Sequence, residues 1–570
     1  MKKMNIALSI AAVVSVAIAA FTGMNPSSSD NVGKREVVDY TPAVITENEE
    51  VNKKMESVLA YTSNDVMPEF QVKEKIVLSE LGVVSDNIAC AKKNADIIGK
   101  AIGDADAGTE IVLPKGKVFI VEGFKLHGKK DLRIVGNDTI LVNIGYSPQM
   151  LGVISGNASV IFNIQNCKNI YLEGFTVDYA EPSSAEGTIT EIRDGKIYFE
   201  LFGKPAEEYK TNVVGGESVF SVLVANENGF YNEIWPQEGT KLSKEDGELR
   251  FSVPVNIGKV GDKICCRVSC GSYASPAIFV QNTSGLELRD IGCFSCPSAF
   301  FYATCGSSNF VFSGLDISVP DESHAMLASN EDCIHINQLS GKLLIENSNF
   351  VGIGDDALNI LTMLGVVANI DGNKATVNAG GTQNAFAQGE FLAGETVEFF
   401  NSSCNSIGFA KVKKHNGKTI EFDVLPEGVK EGCYIQNVSA SPDVLVKNCN
   451  IGNGRARGVL LQAKNAVVTG CTFKDLRLSA VLAAPDFTYW YEAGFADNLL
   501  VKGNTFINCT NTVKDRGFGV VNVTSSHDEV QNKAWLKGHK NVTVMENTYE
   551  NCSGKPVVIT CTENAKIINN

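Results

Sequence analysis

The sequence predicts an all-β protein, a right-handed parallel β-helix with two small barrel-like β-modules inserted between its coils. A short unit recurs along the chain: three or four residues of alternating polarity, then Asn, Gly or Cys, then an aromatic or aliphatic residue. Successive units lie 23 residues apart from Phe294 to Ile317 and 22 apart from Ile451 to Phe473. A propeller blade needs about 40–50 residues, and the leucine–asparagine spacing of leucine-rich repeats is missing here.

The amino-terminal segment, residues 1–23, has the pattern of a secretory signal peptide. Two lysines precede an apolar run from Ile6 to Ala20, within which Ala17-Ile18-Ala19 offers a small-residue cleavage site. Because the run is shorter than the roughly 20 residues of a membrane-spanning helix, we expect export to the periplasm or the extracellular space and no transmembrane segment. Residues 24–70 are polar and irregular, which predicts a linker or an amino-terminal arm.

The first coils are expected in residues 71–180, behind a cap. Asp86–Ile102 is rich in Ala and Ile at amphipathic spacing and predicts a helix, and Thr109–Gly116 predicts a strand and a turn. A solenoid needs a cap because its terminal coil has no neighbour to cover the core. Further coils are expected at 271–363, which includes the acidic motifs described below, and at 441–570.

Two stretches break the period, residues 181–270 and 364–440. Both contain short alternating runs, such as Gly187–Ile192 in the first and Glu395–Phe400 in the second. Such runs between short turns are typical of antiparallel sheets, so each stretch is predicted to be an inserted β-module.

Charge and cysteine content narrow the classes of function. The chain has 570 residues and a net charge of −15, which argues against nucleic acid or an anionic membrane as a partner. Several of its 16 cysteines occupy equivalent Asn/Gly-rich turns, which favours free thiols packed inside the solenoid over a metal site. These cysteines are Cys293, Cys449, Cys471, Cys509 and Cys552.

The same acidic motif occurs twice, in Asn330–Ile336 and in Gly354–Ile360. Asp332 and the alternating apolar residues after it align with Asp356 and its successors at an offset of 24 residues, or one coil. Since stacked coils lie about 4.8 Å apart, we expect Asp332 almost over Asp356, with Asp355 beside it. Carboxylates this close repel one another, so acid–base chemistry on a sugar or a bound cation would account for their presence.

The coil after the second module extends this column with arginine. Aligning Phe350 with Ile451, an offset of 101 residues, brings Arg457 to the position of Asp356, with Arg455 two residues earlier. Arginine would offset the repulsion between the carboxylates, and its planar guanidinium offers hydrogen bonds to sugar hydroxyls.

Glycoside hydrolysis uses such a set, since one carboxylic acid protonates the leaving oxygen and a second carboxylate attacks or activates water. A carboxyl separation of about 5–5.5 Å serves retention and about 6.5–9.5 Å serves inversion, and the sequence leaves both open. A solvated Asp-Asp turn and a calcium site are the alternatives, because clustered aspartate oxygens also suit Ca²⁺.

Tyr489–Gly494 supplies further candidate site residues, in a loop two coils after the coil of Asp355 and Asp356. Trp490 is one of only three tryptophans, and an exposed indole face can stack on the apolar face of a sugar, with Glu492 binding hydroxyls. A packed corner tryptophan is the alternative. His335 has the opposite parity to its apolar neighbours and is expected to point out of the coil, as a site residue or as a surface histidine.

These motifs resemble the polygalacturonase-like, or pectin-lyase-like, β-helix enzymes broadly and glycoside hydrolase family 110 more closely. That family consists of exported bacterial α-galactosidases acting on α-1,3-linked galactose, and the resemblance implies inverting hydrolysis without a metal. One departure is that Ile360-Leu361-Thr362 follows Asn359, where the family often has Val-His-Gly. The matching stretches are Asp332–His335, Gly341–Asn347, Asp355–Ile360, Arg455–Leu460, Trp490–Gly494 and Asn504–Cys509.

The predicted function is therefore an exo-acting, inverting α-galactosidase that removes terminal α-1,3-linked galactose from an oligosaccharide or glycan, with no cofactor. A homodimer is left open as its assembly. The alternatives are a β-helix lyase or hydrolase of uronic-acid polymers, which would need a basic groove and often Ca²⁺, and a non-catalytic glycan-binding solenoid. The predicted catalytic residues are Asp332, Asp355 and Asp356, and the predicted substrate-binding residues are His335, Asn359, Arg455, Arg457, Trp490 and Glu492.

Overall fold

The structure is a computed structural model. It describes residues 37, 49–145, 160–180, 184–202, 218–246, 249–267, 276–320, 325–379, 391–510, 519–525 and 537–570. The predicted signal peptide, and the predicted arm up to residue 48 apart from Val37, lie outside the described residues. In the part of the chain that is described, no helix combines the length and the apolar character needed to cross a bilayer.

The chain forms the predicted parallel β-helix, with three strands in each complete coil. The coil that follows Asp332 consists of Ile334–Asn337, Leu339–Glu346 and Asn349–Ile353. Each of these strands pairs in parallel with its equivalents in the coils before and after. The stack therefore satisfies the backbone polar groups of every inner coil and fixes which side chains lie above one another.

Among the described residues of the amino-terminal part, three segments are α-helical. α1 (Glu49–Leu59) and α2 (Ser63–Val66) lie on the outside of the stack, where their apolar residues pack on a row that includes Leu344 and Leu445. α3 (Ala91–Asp104) buries one face against the first coils and caps the core. It begins later than the predicted Asp86 because Ile88–Cys90 forms a short 3₁₀ turn instead.

Seven strands are described in the first coils. β5 and β7 are long enough to supply two sides of a coil each, and they pair with each other in parallel. The strands are β1 Glu74–Val77, β2 Thr109–Val112, β3 Gly116–Ile120, β4 Phe124–His127, β5 Lys130–Asn143, β6 Phe162–Gln165 and β7 Lys168–Tyr179.

The first module follows β7 as an antiparallel sheet with an apolar core of its own. Because it leaves the β-helix just before the first strand of the next coil, it emerges at the corner where Asp332 and Asp356 also lie. Its strands are β8 Ser184–Arg193, β9 Lys196–Leu201, β10 Ser221–Asn226, β11 Gly229–Ile234, β12 Ser243–Lys244, β13 Arg250–Val253 and β14 Lys263–Arg267.

The middle coils carry the acidic motifs. Their first strands, β15, β18, β21 and β24, pair in that order. The strands are β15 Ile278–Gln281, β16 Ser284–Arg289, β17 Gly292–Cys293, β18 Phe301–Ala303, β19 Ser307–Ser313, β20 Asp316–Ile317, β21 Ile334–Asn337, β22 Leu339–Glu346, β23 Asn349–Ile353 and β24 Leu358–Asp371.

The second module grows out of β24, whose carboxyl-terminal half leaves the β-helix. That half pairs with both β25 and β29, which closes the module into a small antiparallel barrel. The added strands are β25 Lys374–Ala379, β26 Thr396–Phe400, β27 Ser406–Asn416, β28 Thr419–Phe422 and β29 Tyr434–Asn437.

Further coils follow the second module. Their strands are β30 Asp443–Lys447, β31 Asn450–Gly454, β32 Val459–Leu461, β33 Asn465–Thr469, β34 Thr472–Leu476, β35 Val481–Ala483, β36 Glu492–Ala493, β37 Asn498–Lys502, β38 Thr505–Ile507, β39 Gly519–Val523, β40 His539–Met545, β41 Thr548–Glu550, β42 Lys555–Ile559 and β43 Thr562–Ile568.

The core runs along the axis as rows of like residues. Phe473, Phe506 and Tyr549 stack with ring centroids 5.1 and 5.0 Å apart, one ring per coil. The described cysteines are free thiols, and all but Cys90 and Cys552 are buried. Cysteine therefore serves here as a small apolar side chain that fits a repeated turn.

Candidate active site

One corner of the β-helix, just before the first strand of each coil, gathers the predicted acidic and basic residues. Ile334 of β21 pairs with Leu358 of β24, which pairs with Val459 of β32. Asp332, Asp356 and Arg457 each lie two residues before one of these positions, so they occupy the same corner in three successive coils. We call Asp332, Asp355 and Asp356 the acidic corner.

The three carboxyl groups of the acidic corner lie close together. Each offers an oxygen, and these oxygens lie within 4.8 Å of one another. The backbone explains part of this closeness: the N–H of Asp356 donates to Oδ1 of Asp332 at 2.9 Å, and the N–H of Arg457 donates to Oδ1 of Asp356 at 3.0 Å. Each coil therefore holds the carboxylate of the coil before it.

Asp356 is buried and paired. Its side chain is 3% exposed, and its Oδ2 lies 2.5 Å from Nη1 of Arg457. Burial raises the pKa of Asp356 well above its usual value; Arg457 opposes this effect, while Asp332 and Asp355 add to it. The arginine thus offsets only part of the cost of three clustered carboxylates.

Asp355 is the open member of the corner. Its side chain is 32% exposed, against 1% for Asp332, and its Oδ1 lies 3.0 Å from Nη1 of Arg455. Burial raises the pKa of Asp355, with Arg455 acting against the rise and Asp332 acting with it. A carboxyl group whose pKa is raised and whose side chain is partly exposed suits a proton donor.

Arg455 is itself held from the first module. Its Nε donates to Oε1 of Glu233 in β11 at 2.8 Å, and Nη1 of Arg477, from the next coil, donates to Oε2 of the same carboxylate at 2.8 Å. Burial alone would raise the pKa of Glu233, but the two arginines bring it below its usual value. Glu233 therefore remains a carboxylate that fixes Arg455 against Asp355.

His335 and Asn359 line the outer face of the first-strand sheet beside Asp332. They are register partners in β21 and β24, and both are buried. Oδ2 of Asp332 lies 2.9 Å from Nδ1 of His335 and accepts a hydrogen bond from Nδ2 of Asn359 at 3.1 Å. Oδ1 of Asn359 is buried and, among the described residues, has no hydrogen-bond partner, so a sugar hydroxyl would satisfy it.

Glu492 and Trp490 differ in how they meet this site. Glu492 pairs with Met363 of β24, and Nε2 of Gln462 donates to its Oε2 at 3.4 Å. Burial raises the pKa of Glu492 to about 8, with Arg457 opposing and Asp332 adding to the shift, so its carboxyl group interacts electrostatically with the acidic corner. Trp490 is 47% exposed and stacks edge-on with Tyr489; no described contact joins it to the aspartates.

Sequence reasoning missed several residues of the site. Glu331 is buried next to Asp332, and Oγ of Ser298 donates to its Oε2 at 3.3 Å. Burial raises its pKa to about 8, with Arg267 opposing and Asp332 adding to the shift. Glu331 lies in the acidic motif, so its neighbours could have indicated it. The other missed residues belong to the first module, where no repeat predicts which coil they contact. They are Glu233, Trp235 and Arg267.

The set of donors bears on metal binding. Three aspartate oxygens within 4.8 Å resemble a cation site, but Arg455 and Arg457 already pair with Asp355 and Asp356. A Ca²⁺ ion needs carboxylate oxygens as ligands, and here the guanidinium groups are already paired with oxygens of Asp355 and Asp356. The arrangement is better suited to holding one extra proton among several acids than to holding an ion.

Curated proteins with similar sequences carry the name alpha-1,3-galactosidase. Alpha-1,3-galactosidase B of Bacteroides thetaiotaomicron is 24% identical over 424 residues, which are 68% of this chain and 66% of that protein. Alpha-1,3-galactosidase B of Akkermansia muciniphila is 24% identical over 473 residues, 77% of this chain and 56% of that protein. The chain is thus similar in sequence to curated α-1,3-galactosidases from several species.

This similarity covers most of the chain but only 66% and 56% of the length of these two proteins. No protein-family model matches the chain. Among solved structures, a polygalacturonase from Erwinia carotovora has a TM-score of 0.39 at 10% identity, covering 88% of this chain and 98% of that one. A family 28 exopolygalacturonase from Yersinia enterocolitica has a TM-score of 0.35 at 12% identity, covering 87% and 78%.

Proposed function

We propose that this protein is an exo-acting α-galactosidase that hydrolyses terminal α-1,3-linked galactose with inversion. The observation that carries the proposal is the acidic corner: three aspartates with oxygens within 4.8 Å, held by two arginines and flanked by Glu331 and Glu492, whose pKa values burial raises to about 8. The alpha-1,3-galactosidase names of its relatives supply the sugar and the linkage.

In the proposed reaction, Asp355 gives its proton to the glycosidic oxygen as the bond from that oxygen to C1 of galactose breaks. A water molecule adds to C1 and loses a proton to the pair formed by Asp332 and Asp356. Two observations support this division: Asp355 is the most exposed of the three, and the other two are joined through the backbone N–H of Asp356. The products are free galactose and a glycan shortened by one residue.

His335, Asn359, Arg457 and Glu492 are the proposed contacts to galactose hydroxyls. They lie around Asp332 and Asp356, and they combine donors with acceptors, as a sugar that presents both requires. Glu492 and Glu331 would act as hydrogen-bond donors at neutral pH because their pKa values lie near 8.

Inversion rests on the family resemblance. Oxygens within 4.8 Å lie below the separation of about 6.5–9.5 Å that inverting carboxyl pairs keep. The anomer of the first product is therefore the decisive measurement of stereochemistry.

The test is hydrolysis of α-1,3-, α-1,4- and α-1,6-linked galactosides, with the released sugar followed by proton NMR from the first minutes. We expect free galactose from the α-1,3-linked substrate, appearing first as the β-anomer, at a rate that a chelator does not change. The α-anomer appearing first would overturn inversion alone. Absence of galactose from every substrate, or unsaturated uronic-acid products from a polyuronate, would overturn the proposed function.

A further inference from the structure

Trp235 is an exposed aromatic residue at the edge of the site. It directly follows β11 of the first module and is 42% exposed, which is unusual for the largest apolar side chain. It lies two residues after Glu233, the carboxylate that binds both Arg455 and Arg477. The indole is therefore anchored close to the charged corner while part of its surface faces solvent.

Two contacts fix the position of this indole. The guanidinium carbon of Arg455 lies 5.5 Å from the ring centroid, and the same guanidinium contacts Asp355 at 3.0 Å. On another side, Phe220 lies 5.9 Å from the indole and has Arg267 over its own ring at 4.6 Å. Arg267 in turn donates to Oδ1 of Asn330 at 3.0 Å, two residues before Asp332.

The module that carries Trp235 is fastened to the coils at further points. Nδ2 of Asn508 donates to the carbonyl oxygen of Asn228 at 3.0 Å, in the turn between β10 and β11. Apolar residues of the same hairpin, Leu223 and Phe230, pack on Met326 and Leu327 in the segment that leads to Asp332. Trp235 is thus a rigid surface, held against both acidic coils rather than on a free loop.

A rigid, partly exposed indole suits a pyranose ring, because the C–H groups on one face of the sugar stack on the negative face of the aromatic ring. Arg455 lies between this indole and Asp355. A sugar stacked on the exposed surface of the indole would therefore lie beyond the terminal galactose, on the side of the leaving group. We propose that Trp235 forms a binding subsite for the leaving part of the glycan, one or two sugars past the scissile bond. This inference rests on the proposed galactosidase function and adds a determinant of substrate length.

The experiment compares two substrates of the full-length protein. α-Galactosyl fluoride has no leaving sugar, whereas a linear trisaccharide ending in α-1,3-linked galactose has two. For Trp235→Ala we expect kcat/KM on the trisaccharide to fall about tenfold further than kcat/KM on the fluoride, mostly through KM. Trp235→Phe should restore part of the loss, since a smaller aromatic face remains.

The matched controls separate this subsite from other effects. Val260→Ala changes an exposed apolar residue of the same module (60% exposed) and should leave both substrates unaffected. Equal losses on both substrates, or no loss on the trisaccharide, would overturn the proposed subsite while leaving the galactosidase function intact. If the unaltered protein hydrolyses neither substrate, the proposed function itself fails, and the subsite with it.

Discussion

Two corners of the same β-helix carry vertical rows of polar side chains, and they are built differently. At the start of the second strands, Asn465, Asn498, Asn541 and Asn564 form a row that we call the asparagine ladder. Nδ2 of each later residue donates to Oδ1 of the previous one, at 2.7, 3.1 and 2.7 Å. At the start of the first strands lies the acidic corner, where aspartates stack instead.

The difference follows from what each group can do. An amide both donates and accepts, so a row of asparagines satisfies itself and leaves few groups for a ligand. A carboxylate only accepts, so the acidic corner needs the backbone N–H groups of Asp356 and Arg457 and the guanidinium groups of Arg455 and Arg457. The asparagine ladder therefore stabilises the stack, whereas the acidic corner leaves charged groups and lone pairs beside the first module.

Later coils show that the fold does not need charge at the acidic corner. Val459 pairs with Val481, which pairs with Val521, so Ser479 and Gly519 occupy the positions equivalent to Asp356 and Arg457. There Oγ of Ser479 donates to the carbonyl oxygen of Gly519 at 2.8 Å, and no charge is involved. The coil itself therefore does not require aspartate at this corner.

The strongest test of this contrast replaces an aspartate by its amide. Asp356→Asn and Asp332→Asn keep the shape and an acceptor for the backbone N–H one coil later, but they remove the acid–base function. We expect kcat on an α-1,3-galactoside to fall by about 10²- to 10⁴-fold, with a melting temperature close to that of the unaltered protein. Calorimetry and initial rates check both parts, and activity within a few-fold of the starting value would contradict the assignment.

A smaller loss is expected when the support of Asp355 is loosened. Arg455→Lys keeps the charge but cannot contact Glu233 and Asp355 together, as the guanidinium does at 2.8 and 3.0 Å. We expect kcat/KM to fall by roughly 10- to 100-fold because the proton donor shifts away from its productive position. Arg477→Lys is the matched control, since Arg477 binds Glu233 directly and interacts with Asp355 only through a weaker electrostatic effect. Equal losses in the two variants would show that Glu233, not Asp355, is what matters.

The repeat made the acidic corner predictable. Offsets of 24 and 101 residues place Asp332, Asp356 and Arg457 in one column, because the register of a solenoid follows directly from spacing along the chain. The roles of the aspartates stay predictions until variants are measured.

The first module shows where sequence reasoning stops. Glu233 and Trp235 reach the site through a hairpin whose position depends on contacts such as Asn508 with Asn228, which link residues 280 apart. Hydrophobic alternation indicates that β11 is a strand, but not which coil it touches. The raised pKa values of Glu331 and Glu492 could not be predicted either, because they result from burial, which the local sequence pattern does not show.

The asparagine ladder predicts a loss of stability without a loss of chemistry. Asn541 is 4% exposed, and its Nδ2 also donates to the carbonyl oxygen of Asp497 at 3.1 Å, so Asn541→Ala leaves buried polar groups unpaired. We expect the free energy of unfolding to fall by about 1–3 kcal/mol, with kcat/KM unchanged below the transition. Asn564→Ala is the control: Asn564 also has a left-handed backbone (φ 60° against 44°) but is exposed, so its loss should be smaller. The ladder would not be structural if Asn541→Ala lowered kcat/KM instead.

The last expected effect concerns the pH dependence of stability. Burial raises the pKa of Glu331 to about 8 in the folded protein, above its ordinary value of 4.5, so folding takes up a proton between these pH values. The stability that this proton contributes is fully present below about pH 4.5 and is lost as the pH rises through about 8.

A glutamine side chain cannot titrate, so the Glu331→Gln variant should gain stability over the unaltered protein as the pH rises from about 5 to 9, by on the order of 1–3 kcal/mol at the alkaline end. Urea titrations at several pH values measure this difference, and Glu563→Gln, at an exposed position of β43, is the control that should not show it. Glu492 has a similar pKa of about 8, so the unaltered protein and Glu331→Gln should both still lose some stability in this range. Parallel stability curves for the two proteins would mean that Glu331 is not protonated at neutral pH, and that the proposed hydrogen-bond donor beside Asp332 is a carboxylate instead.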